Sequence, residues 1–241
     1  MMEYEICKRD SLSPETVAKM FLLMRDNYLG VVKEDFHRDL SQKDYVILLK
    51  SKNNLCGFST FRLFNHTYRE QKIRVAFSGD TIICKENRNS RILPISFGML
   101  MNRIESDSNT PLYWMLISKG FRTYRFLPIY FQEFFPVFNR ETPEYELGLM
   151  NSLGTRLFDQ RFNETTGIIQ SCGQSVKNIE DDRNAISRRT DSHINFFNEK
   201  NPGWTKGDEL VCLVKYEQAN LNPFIAKRLE VEESRLERVA Q

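Results

Sequence analysis

The feature that most constrains this chain is a long strand pattern with a break inside it. Residues 72–85 carry β-branched and aromatic side chains in strand order, interrupted by Ser78-Gly79-Asp80. Glycine inside a strand pattern marks a bulge, where an extra residue releases a main-chain amide from the ladder and bends the strand. Residues 45–64 supply a partner: 45–50 are a continuous apolar run, 51–54 a polar turn, and 55–64 resume strand composition, which predicts an antiparallel hairpin.

Beyond the break the pattern predicts a crossover. Residues 86–91 form a polar loop, Leu93, Phe97, Leu100, Met101 and Ile104 recur at helical spacing, and residues 112–118 are a fully apolar strand. A second helix is read from Leu127, Tyr130, Phe131 and Phe134, stopping at Pro136. Strand, helix, strand, helix is a βαβ-type unit, so a pair of parallel strands is expected beside the antiparallel meander. Upstream, Ser13 and Pro14 open a helix with Val17, Met20, Phe21, Met24 and Tyr28 on one face, and a shorter helical piece is read at 33–40. Downstream, Pro143 opens a helix bearing Leu147, Met150, Leu157 and Phe158, residues 167–171 suit a short strand, and residues 209–216 return as a strand. The polar stretch 171–191 is read as a flap over a site or an insert. The expected fold class is α/β, or α+β with a mixed sheet, flanked by helices. Residues 1–220 are expected to form one domain, with a charged, solvated helix or tail at 221–241.

Composition narrows the functional classes. With 241 residues, 41% hydrophobic, the chain is long enough to bury a core, and 11 Gly and 8 Pro exclude collagen-like and low-complexity classes. No run approaches the ~20 apolar residues that cross a bilayer. The first residues, Met1 to Cys7, lack the basic flank and apolar stretch of a secretory leader, so a cytoplasmic location is expected. Cys7, Cys56, Cys84, Cys172 and Cys212 are widely spaced and read as reduced thiols, and His37, His66 and His193 show no zinc spacing, so no metal is expected.

This order of elements resembles the GNAT superfamily of N-acetyltransferases over roughly residues 13–136. In that superfamily the interrupted strand offers a main-chain amide to a thioester carbonyl, and a loop of the form Arg-x-x-Gly-x-Gly or Ala wraps the coenzyme A pyrophosphate. The matching stretch here places Arg88, Asn89, Ser90 and Arg91 in the loop without either glycine. A Cβ there obstructs the approach of phosphate to the amides, so guanidinium forks are the alternative means of holding an anion. Acyl-homoserine lactone synthases and N-acyl amino acid synthases resemble GNAT folds lacking that loop, with carrier-borne acyl chains, and are the closer analogy. The resemblance therefore implies an acyltransferase that takes an acyl-CoA or acyl carrier protein thioester and an amine acceptor. The amide near Ser78 or Gly79 would stabilise the oxyanion, Asp80 would take the amine proton or position a water, and Tyr130, in Ile129-Tyr130-Phe131, would match the tyrosine that protonates the departing thiolate. Glu133 is a further candidate on the same helix if it faces inward.

Each residue has a plainer reading: Asp80 hydrogen-bonding its own turn, Tyr130 as core, and Arg88 and Arg91 as solvated loop residues. Between residues 60 and 125, eleven Lys and Arg stand against five acids, which favours an anionic partner on the central region. Three other classes stay open. These are an inactive GNAT-like ligand-binding or scaffold protein, a nucleic-acid binder, which the absence of a motif makes unlikely, and a cysteine hydrolase using Cys84.

Overall fold

The computed structural model describes residues 2–87, 90–177 and 191–240. Strand β1 (Met2–Lys8) alternates Met2, Tyr4 and Ile6 toward the core with Glu3 and Glu5 outward. Helix α1 (Pro14–Asn27) starts where the Ser13 hydroxyl accepts from the Thr16 amide at 3.1 Å, a cap contributing about 1 kcal/mol. The two-residue β2 (Tyr28–Leu29) leads to α2 (Lys33–Leu40), and then to the antiparallel meander β3 (Tyr45–Ser51), β4 (Asn54–Tyr68) and β5 (Gln71–Ile83). Helix α3 (Ile92–Ser106) crosses over to β6 (Leu112–Ser118), which runs parallel to β5. Every side chain of β6 is at least partly buried, as expected for a parallel strand covered on both faces.

The chain continues through short helices α4 (Phe121–Tyr124) and α5 (Phe126–Tyr130), then α6 (Glu144–Phe158), β7 (Phe162–Asn163), β8 (Ile168–Ile169), β9 (Ser175–Val176), α7 (Ser192–Lys200), β10 (Glu209–Tyr216) and α8 (Pro223–Ala240). The main sheet has the order β1-β3-β4-β5-β6-β10-β8-β7, antiparallel except for β5 and β6. A small second sheet pairs β2 with β9. One face of the main sheet is covered by α3, α5, α7 and α8 through Phe97, Leu127, Phe197 and Leu229. The other carries α1 and α2, through Met20 and Phe36, beside α6, through Leu149 and Leu153.

Three expectations need correction. The helix read through Phe134 ends at Tyr130. From Phe131 the backbone is extended, and its hydrogen bonds go to distant chain: Gln132 N–H to Asn220 O and Phe135 N–H to Leu213 O, both at 2.9 Å. Phe131 and Phe134 still reach the core from this irregular segment, so apolar spacing alone did not distinguish it from helix. The C-terminal helix is not a solvated tail along its first half: Ile225 and Leu229 are buried, and Glu232 and Glu233 accept from Tyr4 and Asn102. The stretch 171–191 is described only in part. Ser175–Val176 pairs with β2, and residues 178–190 lie outside the described residues.

The basic excess between residues 60 and 125 is also less available than the count suggests. Arg74 is buried and donates to the carbonyls of Ile104, Glu105, Ser108 and Thr110, capping the C-terminal end of α3. Arg69 pairs with Glu144, Arg125 with Asp191 and Lys119 with Glu209, all acids from outside that window.

Candidate active site at the strand bulge

The break lies where residue order put it. Ser59 pairs with Thr81 and Phe61 with Ser78, so Gly79 and Asp80 together face the single residue Thr60. The extra residue inverts the alternation: Val75 and Phe77 before it, and Ile82 after it, share the face covered by α1, α2 and α6. At the same point the parallel ladder stops. Ser78 with Leu116 is its last pair, while β5 runs on to Ile83 and β6 to Ser118. Among the described residues no β5–β6 pair follows Ser78, which leaves a wedge between the strands where the main chain of residues 79–82 has no ladder partner on the β6 side.

The wedge has two unlike faces. Toward α3 it is filled by aromatic rings. The Ser78 hydroxyl accepts from the Trp114 indole at 3.0 Å, and Trp114 packs against Phe97, Phe126 and Phe131. Tyr130 belongs to this side: its phenol is buried, donates to Pro94 O at 2.8 Å, and is pushed up by burial. Its proton is committed to a helix carbonyl, on the sheet face opposite Phe77, so the structure makes Tyr130 a core residue and not an acid beside Asp80. Glu133 is not on a helix and pairs with Arg140 at 2.9 Å near the surface.

The opposite face holds charge. Asp80 keeps part of its surface accessible and its carboxyl makes no hydrogen bond among the described residues, so the turn-capping alternative is not realised. The carboxyl is raised to about 6, first by burial and then by Asp39, with Lys43 and Lys119 pulling it down and Glu209 pushing it up. Lys43 Nζ bonds Asp39 Oδ1 at 2.9 Å, and Lys119 pairs with Glu209 at 3.6 Å; burial raises the Glu209 carboxyl as well. Three carboxylates and two ammonium groups from separate segments thus converge on the bulge. Asp39, Lys43, Thr60 and Glu209 were missed in the sequence: Asp39 and Lys43 stand four residues apart, but no spacing links that pair to Asp80, Thr60 or Glu209, and Lys119 entered only as one charge in a count. Two surface hollows, of about 270 Å³ around Arg9 and His37 and about 220 Å³ around Asn163 and Asp208, lie elsewhere, and no residue of this cluster lines either.

The anion-loop candidates divide. Arg88 and Asn89 lie outside the described residues. The Ser90 hydroxyl accepts from the Ile92 amide at 3.2 Å, and Arg91, at the cap of α3, extends over the Phe224 ring at 5.7 Å. With one first-turn amide engaged by Ser90 and Pro94 having none, the start of α3 is a poor cradle for a pyrophosphate.

A second constellation looks catalytic and is not. His66 Nε2 lies 2.9 Å from the Ser152 hydroxyl, but its Nδ1 lies 3.0 Å from Arg156 Nη1. Guanidinium only donates, so Nδ1 must accept and Nε2 must carry the proton, which points it at the serine it would need to deprotonate. Burial and Arg156 both lower this histidine. His66 is engaged by Ser152 and Arg156, and His193 lies tilted against Tyr124 and Phe134 and edge-on to Phe138.

No family model and no curated protein matches the chain. Solved structures resemble it in part. One is a conserved protein of Enterococcus faecalis described as a probable N-acyltransferase, at 15% identity over 56% of this chain and 33% of that one, TM-score 0.42. Another is a GNAT family N-acetyltransferase of Escherichia coli in complex with CoA, at 9% identity over 52% and 68%, TM-score 0.40. A third is an aminoglycoside acetyltransferase from an uncultured soil metagenomic sample, at 14% identity over 48% and 76%, TM-score 0.35. The matched part of this chain thus spans a third of the Enterococcus faecalis protein's length. The meander, the interrupted strand, the crossover helix and the apolar parallel strand on which the resemblance rests are all present in that order.

Proposed function

We propose that this chain transfers an acyl group from a thioester to an amine at the β5 bulge. The observation that carries the reading is Asp80: a carboxylate without a hydrogen-bond partner, beside a bulge, where the parallel ladder ends. The amine nitrogen attacks the thioester carbonyl carbon, the C–N bond forms, and the C–S bond breaks to release thiolate. Asp80 takes the proton shed by nitrogen, and the thiolate is protonated from solvent. A group titrating near 6 is mostly ionised at neutral pH, and such a base contributes roughly 10² to 10⁴ in rate. Main-chain N–H groups of residues 78–80 stabilise the oxyanion, a contribution of roughly 10² to 10³ in comparable sites. With three acids against two lysines, the acceptor side favours an amine that arrives as its ammonium, gives one proton to solvent, and attacks as the free base whose second proton goes to Asp80.

The donor is an acyl-CoA or acyl carrier protein thioester, its anionic portion met by the side chains of Ser90 and Arg91 and of Arg88 and Asn89 from the same loop. Residues 1–220 form the catalytic unit, with the helix beyond bracing α3, and the protein works in the cytoplasm. Among the described residues no helix is long and apolar enough to cross a membrane. The test is thiol release from acetyl-CoA, longer acyl-CoA and acyl carrier protein thioesters, with and without added amines. Amine-dependent release that Asp80→Asn lowers at least a hundredfold supports the reading, and no amine-dependent release from any donor overturns it. The Ser78 to Trp114 hydrogen bond and the rings packed behind it favour a second reading, an inactive ligand-binding or scaffold protein. Native mass spectrometry that finds a bound acyl ligand without turnover selects it.

A further inference from the structure

Lys43 is the least expected residue of the bulge. It sits just past α2, only 3% of its side chain is exposed, and its ammonium lies 5.2 Å from the centre of the Phe77 ring. A Cβ on Gly79 would come within 2.7 Å of Lys43 Nζ and 2.8 Å of Thr60 Oγ1, so the glycine leaves the room that this ammonium occupies. Thr60 Oγ1 is itself buried without a hydrogen-bond partner among the described residues. Burying an ammonium is costly unless it is paired and its donors are hydrogen-bonded. Asp39, half exposed, takes one of the three donors, and Lys43 Nζ makes no other hydrogen bond among the described residues. We propose that Lys43 is a positioning residue of the acyl-transfer site: anchored by Asp39 and seated against Gly79, its ammonium fixes the bulge and holds Asp80 as the carboxylate. This rests on the reading of Asp80 as the base.

The groups acting on Asp80 are Asp39 from α2, Lys43 after it, Lys119 after β6 and Glu209 from β10. Removing Lys43 leaves both other acids and one cation, so Asp80 binds its proton more tightly. The experiment titrates the Asp80 carboxyl by carbon NMR in the full chain, assigned with Asp80→Asn, in wild type, Lys43→Met, Lys43→Arg and Asp39→Asn. The expected result is an Asp80 midpoint raised about tenfold in proton affinity by Lys43→Met, one pH unit, and largely restored by Lys43→Arg, with the acidic limb of the amine-dependent rate moving equally. If Lys43→Met does not fold, Asp39→Asn carries the test, and the midpoint falls. An Asp80 midpoint unmoved in every folded variant overturns the proposal, even where thiol release persists. A moved midpoint without thiol release leaves Lys43 in place and removes the transfer reading.

Discussion

Asp80→Asn separates a functional carboxylate from a structural one, because the two roles have opposite signs in stability. Burial and the neighbouring acids raise Asp80 from 3.8 to about 6. A carboxyl raised on folding binds its proton more tightly in the native state, so its ionised form costs stability above pH ~6 and the cost vanishes below pH ~4. Two pH units correspond to about 3 kcal/mol at ~1.36 kcal/mol each. Partial exposure of Asp80 reduces this, and an amide retains some desolvation cost, leaving an expected gain of about 1–2 kcal/mol for the variant at pH 8. Urea unfolding of both proteins between pH 4 and 8 provides the measurement. The difference in unfolding free energy should be near zero at pH 4, grow through pH 5 to 6 and level off, whatever other titrations shape the two curves. At pH 8 the stabilised variant should have lost amine-dependent thiol release. A variant less stable than wild type at pH 8, or a difference independent of pH, refutes the reasoning, since either would mean that Asp80 is a satisfied structural acid.

Tyr130→Phe should cost about 1 kcal/mol, the hydrogen bond to Pro94 O, and leave thiol release within about twofold; a hundredfold loss in rate restores the acid role. Gly79→Ala should lose about 1–3 kcal/mol in chemical unfolding, because its Cβ meets Lys43 Nζ and Thr60 Oγ1; a neutral effect would show that the bulge is loosely packed. Arg74→Met leaves the carbonyl end of α3 without its donors and should cost about 3 kcal/mol in thermal unfolding. Arg156→Met should raise the His66 midpoint by proton NMR, since wild-type His66 is lowered and must give up its accepted hydrogen bond to be charged. Wild type therefore loses stability as pH falls below 6.5 through the lowered His66 midpoint, and the variant loses less.

The scaffold was legible where local chemistry and tertiary need agree. Glycine within a strand has few uses other than a bulge or a close approach, and Gly79 serves both. Residues 112–118 read as a covered parallel strand because no position there has to face water. Strand β1 was missed, although Met2, Tyr4 and Ile6 alternate with Glu3 and Glu5, because its acids resemble those of a polar terminus. The break after Tyr130 was not readable, since the decisive hydrogen-bond partners, Leu213 and Asn220, lie more than 70 residues away in the chain. The same limit hid most of the site. Asp80 emerges directly from the bulge, but Asp39 and Lys43 reach it through the packing of α2 on the sheet and Glu209 through the order of strands, and neither has a local signature.

The two faces of the wedge bear differently on what a donor thioester meets. On the α3 side, Ser90 engages one amide of the first turn, Pro94 removes another, and aromatic rings fill the space behind. On the proposed reading an anionic donor there would be held by side chains, and Arg91 is already seated on an exposed ring. Side-chain recognition fixes charge without fixing the backbone path of a pyrophosphate, which relaxes the demand for coenzyme A itself and makes binding depend strongly on salt. On the other side, the buried lysine and the carboxylates do not depend on which thiol delivers the acyl group. On the proposed reading, the bulge would supply the same acid-base chemistry to any thioester that the side chains of the donor side can hold.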